Sequence, residues 1–566
     1  MKVLFLSIFL LAASAEQTLA NALSPPFSPP IVHQTCDAVS NSFLHWPRIL
    51  EISRHSMQRY ARLQKWARPL PRTTRQEDIP MAQTQEFMVN CGTTKVPVRL
   101  PLERTRIAPG PPASATPLPD AAAKFRQALA DPVGMPALQK LVQKGAKVTI
   151  GIQDGRAVHY HPEDQDLRIL GLPILMESLQ QCGVRPEDIQ IKVANALHRM
   201  WTRKEMTHIL GPKLPYTLGG RLSCIDATDI SQFVNLGITK RGMEVMVHRA
   251  VVESDLFIFM STPQGFFQGG WKSILVGMSN WESIRYHHRP WPFASGHSVQ
   301  DPKNSSFHKL LNEMGQLVDT ELARRGHPPI MKIEGILTTS KPQKFAAIDA
   351  GLITPVREMH LDMLLSELVT DVKGQTDVLL IGMADGDSYS RLSVFNPIHC
   401  RNKALSGLFN AYHENPLVRK GGIFIVANPF EPKFSLLNHP SYQALYNEVL
   451  PAMKDPVEVW DTYSEEYAHR PEFVHKYRTG FAFHGAHPCI LYGQGLYALN
   501  HLSAVFAAGV PKENEEVARR MGFEPFPTID AALREADARL GKDCSITYHP
   551  HLEEQTYFTR VNVSGN

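Results

Sequence analysis

Between Asp255 and His288 the chain passes through an apolar run, a glycine-rich loop, one lysine and a histidine pair. The run Leu256-Phe257-Ile258-Phe259-Met260 has the length of one buried strand. The loop that follows carries Gly265, Gly269 and Gly270 ahead of Lys272. Glycine at a strand end lets the backbone approach a ligand closely. A lysine in such a loop is either a phosphate contact or an amine that can carry a cofactor covalently. The spacing nearly imitates the phosphate-binding loop G-x-x-x-x-G-K-[ST], but Trp271 intrudes before Lys272 and would displace the amine from the phosphates. The phosphate-loop reading is therefore rejected.

A chain of 566 residues has room for two to four domains. With 43% hydrophobic and 20% charged residues, it has the composition of a globular protein with a sizeable core. A net charge of +4 is too small at this length to argue for nucleic acid. Seven scattered cysteines, none in CxxC spacing, suggest neither a disulfide framework nor a structural zinc site. That usage suits a reducing compartment, so the expected location is cytoplasmic. One feature competes. Lys2, the apolar run Val3–Leu11 and Ala13-Ser14-Ala15 have the form of a secretory leader, which would mean export. Residues 41–75 then carry eight Arg/Lys against one acid, with Trp46 and Trp66 interleaved. Residues 1–80 are expected to be an extension outside the folded enzyme, and no later stretch is apolar enough for stable membrane insertion.

Beyond the Pro/Ala-rich link Ala108–Pro119, strand and helix patterns alternate, which points to an α/β fold. Val148–Ile152 and Ile189–Ala194 have strand character. Leu172–Gln181 has helix character and is closed by Gly183. Thr202-x-x-Glu205 is a capping box. Three strands thus end in polar loops bearing Asp154 and Arg156, His198 and Arg199, and Lys272. Ligands in open α/β sheets sit beyond the carboxyl ends of strands, so the three loops are expected to converge. His198 is a candidate general base, or else a surface histidine near a helix start. Arg156 is a candidate bidentate clamp for a carboxylate, or else half of a surface ion pair. Asp154 orients Arg156 or caps a turn.

These residues resemble a known family. Ala194-Asn-Ala-Leu-His198-Arg199, with Thr202-x-x-Glu205, resembles the GTHRPMTPEE element of lactate racemases. Gly269-Gly-Trp-Lys272-Ser-Ile-Leu-Val-Gly277 is similar to their GGxKxxxPG loop, and Phe125–Gly134 to their IREALxNPIG segment. Leu236–Gly242 and Val251–Leu256 resemble the stretch that leads to the cofactor lysine. The resemblance runs from about Met81 to near the C-terminus. It implies a nickel-pincer nucleotide, a pyridinium mononucleotide that holds nickel through carbon and sulfur and is tethered as a thioamide. Lys272 matches the tether, with Gly269 and Gly270 beside it, and His288, sixteen residues on, matches the metal ligand. It implies racemisation or epimerisation of a small-molecule 2-hydroxy acid by hydride transfer, with His198 as one base. Asp154 and Arg156 match the family's DxTRP loop at a spacing one residue shorter. Cofactor-biosynthesis enzymes are implied as partners.

Departures from the family are informative. Its second catalytic histidine lies ten residues before the lysine, where this chain has Thr262. Threonine is no base near neutral pH without help. Either Gln264, His287 or another histidine takes part, or the substrate is not lactate. Val276 replaces the family's proline, and His287 stands where Asn is common.

In the second half, Leu310, Leu311, Met314, Leu317, Val318 and Leu322 share one helical face, which is packing. A second α/β region is expected to begin near residue 345, with strands at Asp377–Met383 and Gly421–Ala427. His399-Cys400-Arg401-Asn402-Lys403-Ala404-Leu405 resembles the family's QxxKAL helix. Lys403 matches its substrate lysine, while Cys400 replaces its glutamine. The Tyr/His-rich C-terminal stretch carries no clear signal. The expected architecture is two α/β domains, 81–340 and 341–566, with the cofactor cleft between them. Two rival functions stay open: a lysine Schiff-base enzyme of the pyridoxal phosphate type, and a non-catalytic ligand-binding homologue.

Overall fold

The computed structural model describes residues 83–154, 163–294, 296–390, 393–552 and 557–562. The leader-like run, the basic segment and Arg156 lie outside them. Within the unit Met81–Asn566, the apolar runs form a six-stranded sheet. Its order is Phe345–Gly351, Met331–Leu337, Leu256–Ser261, Val148–Gln153, Ile189–Ala194, Leu222–Cys224. All neighbours are parallel except the first pair. Every residue of Leu256–Ser261 and of Met331–Leu337 is buried, as strands covered on both faces must be.

The chain enters this sheet at Val148–Gln153 and builds outward to Leu222–Cys224. It then returns to add Leu256–Ser261 on the opposite side of its first strand, with Ile150 paired to Ile258. That reversal is a topological switch point. Crossovers leave it in opposite directions and open a crevice beyond the strand ends. The two strands there end at Asp154 and at the loop of Lys272.

A second sheet has the order Glu524–Phe526, Ala504–Ala508, Val418–Ala427, Thr376–Ala384, Thr84–Gly92, Thr94–Pro101. Ile546–Tyr548 pairs with both Thr376–Ala384 and Thr105–Ile107. Two placements differ from expectation. The strands between Thr84 and Ile107, grouped with the first lobe by sequence position, pair with strands of the second sheet. Phe345–Gly351, expected to open the second region, is an antiparallel edge of the first sheet. The partner Met331–Leu337 follows too closely on the Pro328-Pro329 break to stand out as a strand. The α/β class holds, and one apolar core joins Leu197, Phe266 and Trp281 to residues of the C-terminal half such as Phe424 and Tyr442.

The capping box forms as expected, with Thr202 and Glu205 bonding reciprocally at the start of Arg203–Leu210. The helix expected from Leu172 begins at Leu167, because the Asp166 carboxylate accepts from the Arg168 N–H and caps it earlier. The described cysteines are free. No helix among the described residues is long and apolar enough to cross a membrane.

The helix Gly270–Gly277 carries Lys272 in its first turn and packs on the long helix Ser306–Arg325. At Gly315 an added Cβ would stand 2.3 Å from the Trp271 ring. Alanine normally gains up to about 1 kcal/mol over glycine in a helix. Here overpacking should win, and Gly315→Ala is expected to destabilise by about 1–3 kcal/mol. A lowered urea midpoint at unchanged slope would show it; a raised midpoint would mean the two helices simply spread.

Candidate active site

The loop Asn195–His198 leaves the strand Ile189–Ala194 and is held by buried polar contacts. The Asn195 carboxamide oxygen accepts from Ile225 N–H, and its nitrogen donates to Tyr477 Oη. Tyr477 Oη donates in turn to the Ala196 carbonyl, and His484 N–H donates to the Leu197 carbonyl. Residues of the C-terminal half thus hold the loop that presents His198.

His198 Nδ1 lies 2.5 Å from Asp154 Oδ2. An ionised carboxylate only accepts, so the ring donates through Nδ1 and leaves the Nε2 lone pair available. Asp154 is 7% exposed, and its carbonyl accepts from Arg168 Nη1 at 3.2 Å. Among the described residues Asp154 thus pairs with His198, a partner that sequence expectation did not offer it. Arg156 lies outside the described residues.

Asp154, His198 and Lys272 line one cleft at the switch point, with Gln153 and Gln268. The Lys272 ammonium sits 4.7 Å from the Phe267 ring centre. The glycines of this loop have a local reason. Gly269 and Gly270 have φ of +91° and +54°, and a Cβ at Gly269 would meet Arg357 Nη1 at 2.6 Å. Arg357 Nη2 donates to the Phe266 carbonyl, so close docking on this buried guanidinium explains both glycines.

His287 and His288 are buried at the end of the helix Trp281–His288, and their Nδ1 atoms lie 2.7 Å apart. One ring must donate and the other accept. Burial pushes the pKa of His288 well below the ordinary range, and His287, Lys272 and His198 depress it further. Both rings are therefore neutral, the form that binds metals, and His288 lies within electrostatic reach of Lys272 and His198. Among the described residues no group of three or more His, Cys, Asp or Glu could hold a metal. A metal at His288 would need most of its donors from a bound ligand.

Lys403 opens the π-helix Lys403–Leu408 and is 8% exposed, not a solvated helix lysine. Its ammonium donates to the Ala384 carbonyl at 2.8 Å. It lines a second cleft with Gln264, Gln268, Asp387 and Tyr389, and Gln268 belongs to both clefts. Asp387 accepts from the Tyr389 and Ser390 N–H groups, as an aspartate in a polar turn does. Cys400 points elsewhere, to Asn428, and burial raises its pKa well above the thiol range. Thr262 lines a separate small cleft with Arg168 and Met260.

Sequence reasoning missed an aromatic wall. His198 meets Tyr389, Phe483 and His487 at ring-centre distances of 5.5, 5.9 and 5.3 Å. Tyr442 Oη hydrogen-bonds His487 Nδ1, and His399 packs on His439 and Tyr442. Burial, then neighbouring histidines, hold the His487 pKa well below the ordinary range. The excess of Tyr and His near the C-terminus was the available signal, but it had no motif to organise it.

Residues 92–299 match the sequence family described as the lactate racemase N-terminal domain, a span that includes Asp154, His198, Lys272 and His288. No curated protein sequence matches the chain. Among solved structures, the lactate racemase apoprotein from Thermoanaerobacterium thermosaccharolyticum is similar with a TM-score of 0.57 at 16% identity, covering 84% of this chain and all of that one. A protein from Thermotoga maritima is similar with a TM-score of 0.50 at 13% identity, covering 78% of this chain and 99% of that one. At such identities the likeness speaks for the fold.

Proposed function

We propose, from the match of residues 92–299 to the lactate racemase N-terminal domain, that the chain is a racemase or epimerase of a 2-hydroxy acid served by a nickel-pincer nucleotide on Lys272. The observation that carries this reading is the meeting of Asp154, His198 and Lys272 in one switch-point cleft. The residues fit the group. Lys272 offers an amine in the first turn of a helix, and buried, neutral His288 offers one imidazole. A pincer ligand that brings carbon and sulfur donors needs no more from the protein. When bound, the group supplies a hydride acceptor.

The chain's own residues do the rest. His198, oriented by Asp154, takes the hydroxyl proton through Nε2. Lys403 and Gln268 stand where a carboxylate and neighbouring hydroxyls would be held across the two clefts, and Arg156 remains a proposed carboxylate clamp. His287 orients His288 through the shared Nδ1 hydrogen bond. Enzymes that build the cofactor would be transient partners. A two-lobe division, with Thr84–Ile107 counted in the second lobe and Phe345–Gly351 in the first, and a cytoplasmic location are part of the same proposal.

The test is intact mass with metal analysis on protein produced beside those biosynthetic enzymes. An added mass lost in Lys272→Ala, with stoichiometric nickel, is expected. Unmodified, nickel-free protein with an imine absorbance would replace this reading with the Schiff-base one.

A further inference from the structure

We propose that His487 is the second proton-transfer group of this site, serving the enantiomer whose hydroxyl His198 does not reach. The inference rests on the racemase reading and deepens it. Inversion at C2 against one fixed hydride acceptor requires the planar keto acid to turn over. Its oxygen then occupies a second place, and a proton acceptor is needed at each place. Thr262, at the position where a second histidine would be sought, lines the small cleft of Arg168 and Met260 and is not among the residues lining the Lys272 cleft.

His487 meets the requirement. Its ring stands edge-on to His198, at 5.3 Å and 85° between planes. It also packs on Tyr389 at 5.0 Å and on Phe483 at 4.9 Å. His198 lines the cleft of Lys272 and Tyr389 lines the cleft of Lys403, so His487 packs on one lining residue of each. Tyr442 occupies Nδ1, and Nε2 has no hydrogen-bond partner among the described residues. A phenol O–H both donates and accepts, so Tyr442 supports the ring whether Nε2 carries a proton or a lone pair. The relation repeats that of Asp154 and His198, with a buried polar group on Nδ1 and the reactive nitrogen left over.

The chemistry balances. The substrate O–H bond breaks, its proton joins the Nε2 lone pair, and its electron pair completes the carbonyl; the cofactor, when bound, would take up the hydride that C2 loses. The opposite enantiomer forms by the reverse steps, its hydroxyl proton coming from the other ring, which enters the step as the imidazolium after taking a proton from solvent. The rings exchange protons with solvent between turnovers.

The experiment uses cofactor-loaded protein, its Lys272 adduct verified by mass, and single enantiomers of lactate and of phenyllactate. Keto acid formed in the first turnover is measured for each hand. His487→Gln is expected to slow one hand about 10²–10⁴-fold and leave the other at the wild-type rate. His198→Gln should show the opposite preference. Tyr442→Phe, which keeps the ring, should slow the same hand as His487→Gln to a smaller extent, and it stands in if His487→Gln fails to fold. Equal slowing of both hands, or of neither, overturns the proposal. A second readout needs no cofactor: nitrogen NMR of labelled histidine during titration with pyruvate should move the His198 and His487 rings together, and a silent His487 ring overturns it as well. Wild-type protein without the adduct would instead bring down the racemase reading.

Discussion

Asp154→Asn is expected to lower kcat about 10³–10⁴-fold while the protein stays folded and still carries its Lys272 adduct. The reason lies in tautomers. The Asp154 carboxylate, 2.5 Å from His198 Nδ1, can only accept, so it keeps the proton on Nδ1 and the lone pair on Nε2. An asparagine has nearly the same shape, but its NH₂ can donate to Nδ1. That stabilises the tautomer with the proton on Nε2, where it is useless for accepting another. The carboxylate also stabilises the imidazolium formed after proton transfer, and the amide does not. Initial racemisation rates with KM, beside nitrogen NMR of the His198 ring, separate the two effects. A kcat within tenfold of wild type, with Nδ1 still protonated, would mean that Asp154 positions the loop and contributes little to the proton transfer.

The parts of this site that sit on one strand and its loop were legible in the sequence. Leu256–Ser261, the strand Ile189–Ala194, the capping box at Thr202 and the lysine loop all follow from local patterns of period and capping. Pairing across the chain was not legible. The return of Leu256–Ser261 to the flank of Val148–Gln153 is a matter of strand order, which no local pattern encodes. Arg357, which explains Gly269, comes from a helix 88 positions away. His487 and Tyr442 reach His198 only because the C-terminal half folds over its loop. The same limit misplaced Thr84–Ile107 and Phe345–Gly351, whose partners are distant or masked by a proline break.

Behind the lysine loop lies the second large expected effect. Glu334 is fully buried and meets Lys332 at 3.4 Å, His360 at 3.2 Å and Arg357 at 3.9 Å. His360 also meets Asp349 at 2.9 Å, and Ser261 Oγ donates to Glu334 at 3.3 Å. Removing one partner of a buried network leaves the others uncompensated, so Glu334→Gln is expected to cost about 3–5 kcal/mol. The loss should loosen Phe266–Gly270, since Arg357 would lose its counter-ion while still holding the Phe266 carbonyl. The pH dependence has a definite sign. Burial alone would raise the Glu334 pKa, but Lys332, His360 and Arg357 overcome it and hold the group at about 2, below its ordinary 4.5. Its stabilisation is present above pH 4.5 and fades as pH falls toward 2. For His360, burial lowers the pKa but Asp349 and Glu334 raise it more, above the ordinary 6.5. That contribution is full below pH 6.5 and is lost as pH rises through the raised value. The stability gap between wild type and Glu334→Gln, from urea midpoints, should therefore be widest between about pH 4.5 and 6.5 and shrink on either side. A gap under about 1 kcal/mol, or one indifferent to pH, would mean that the network relaxes around the amide and that the lysine loop is held by its apolar contacts alone.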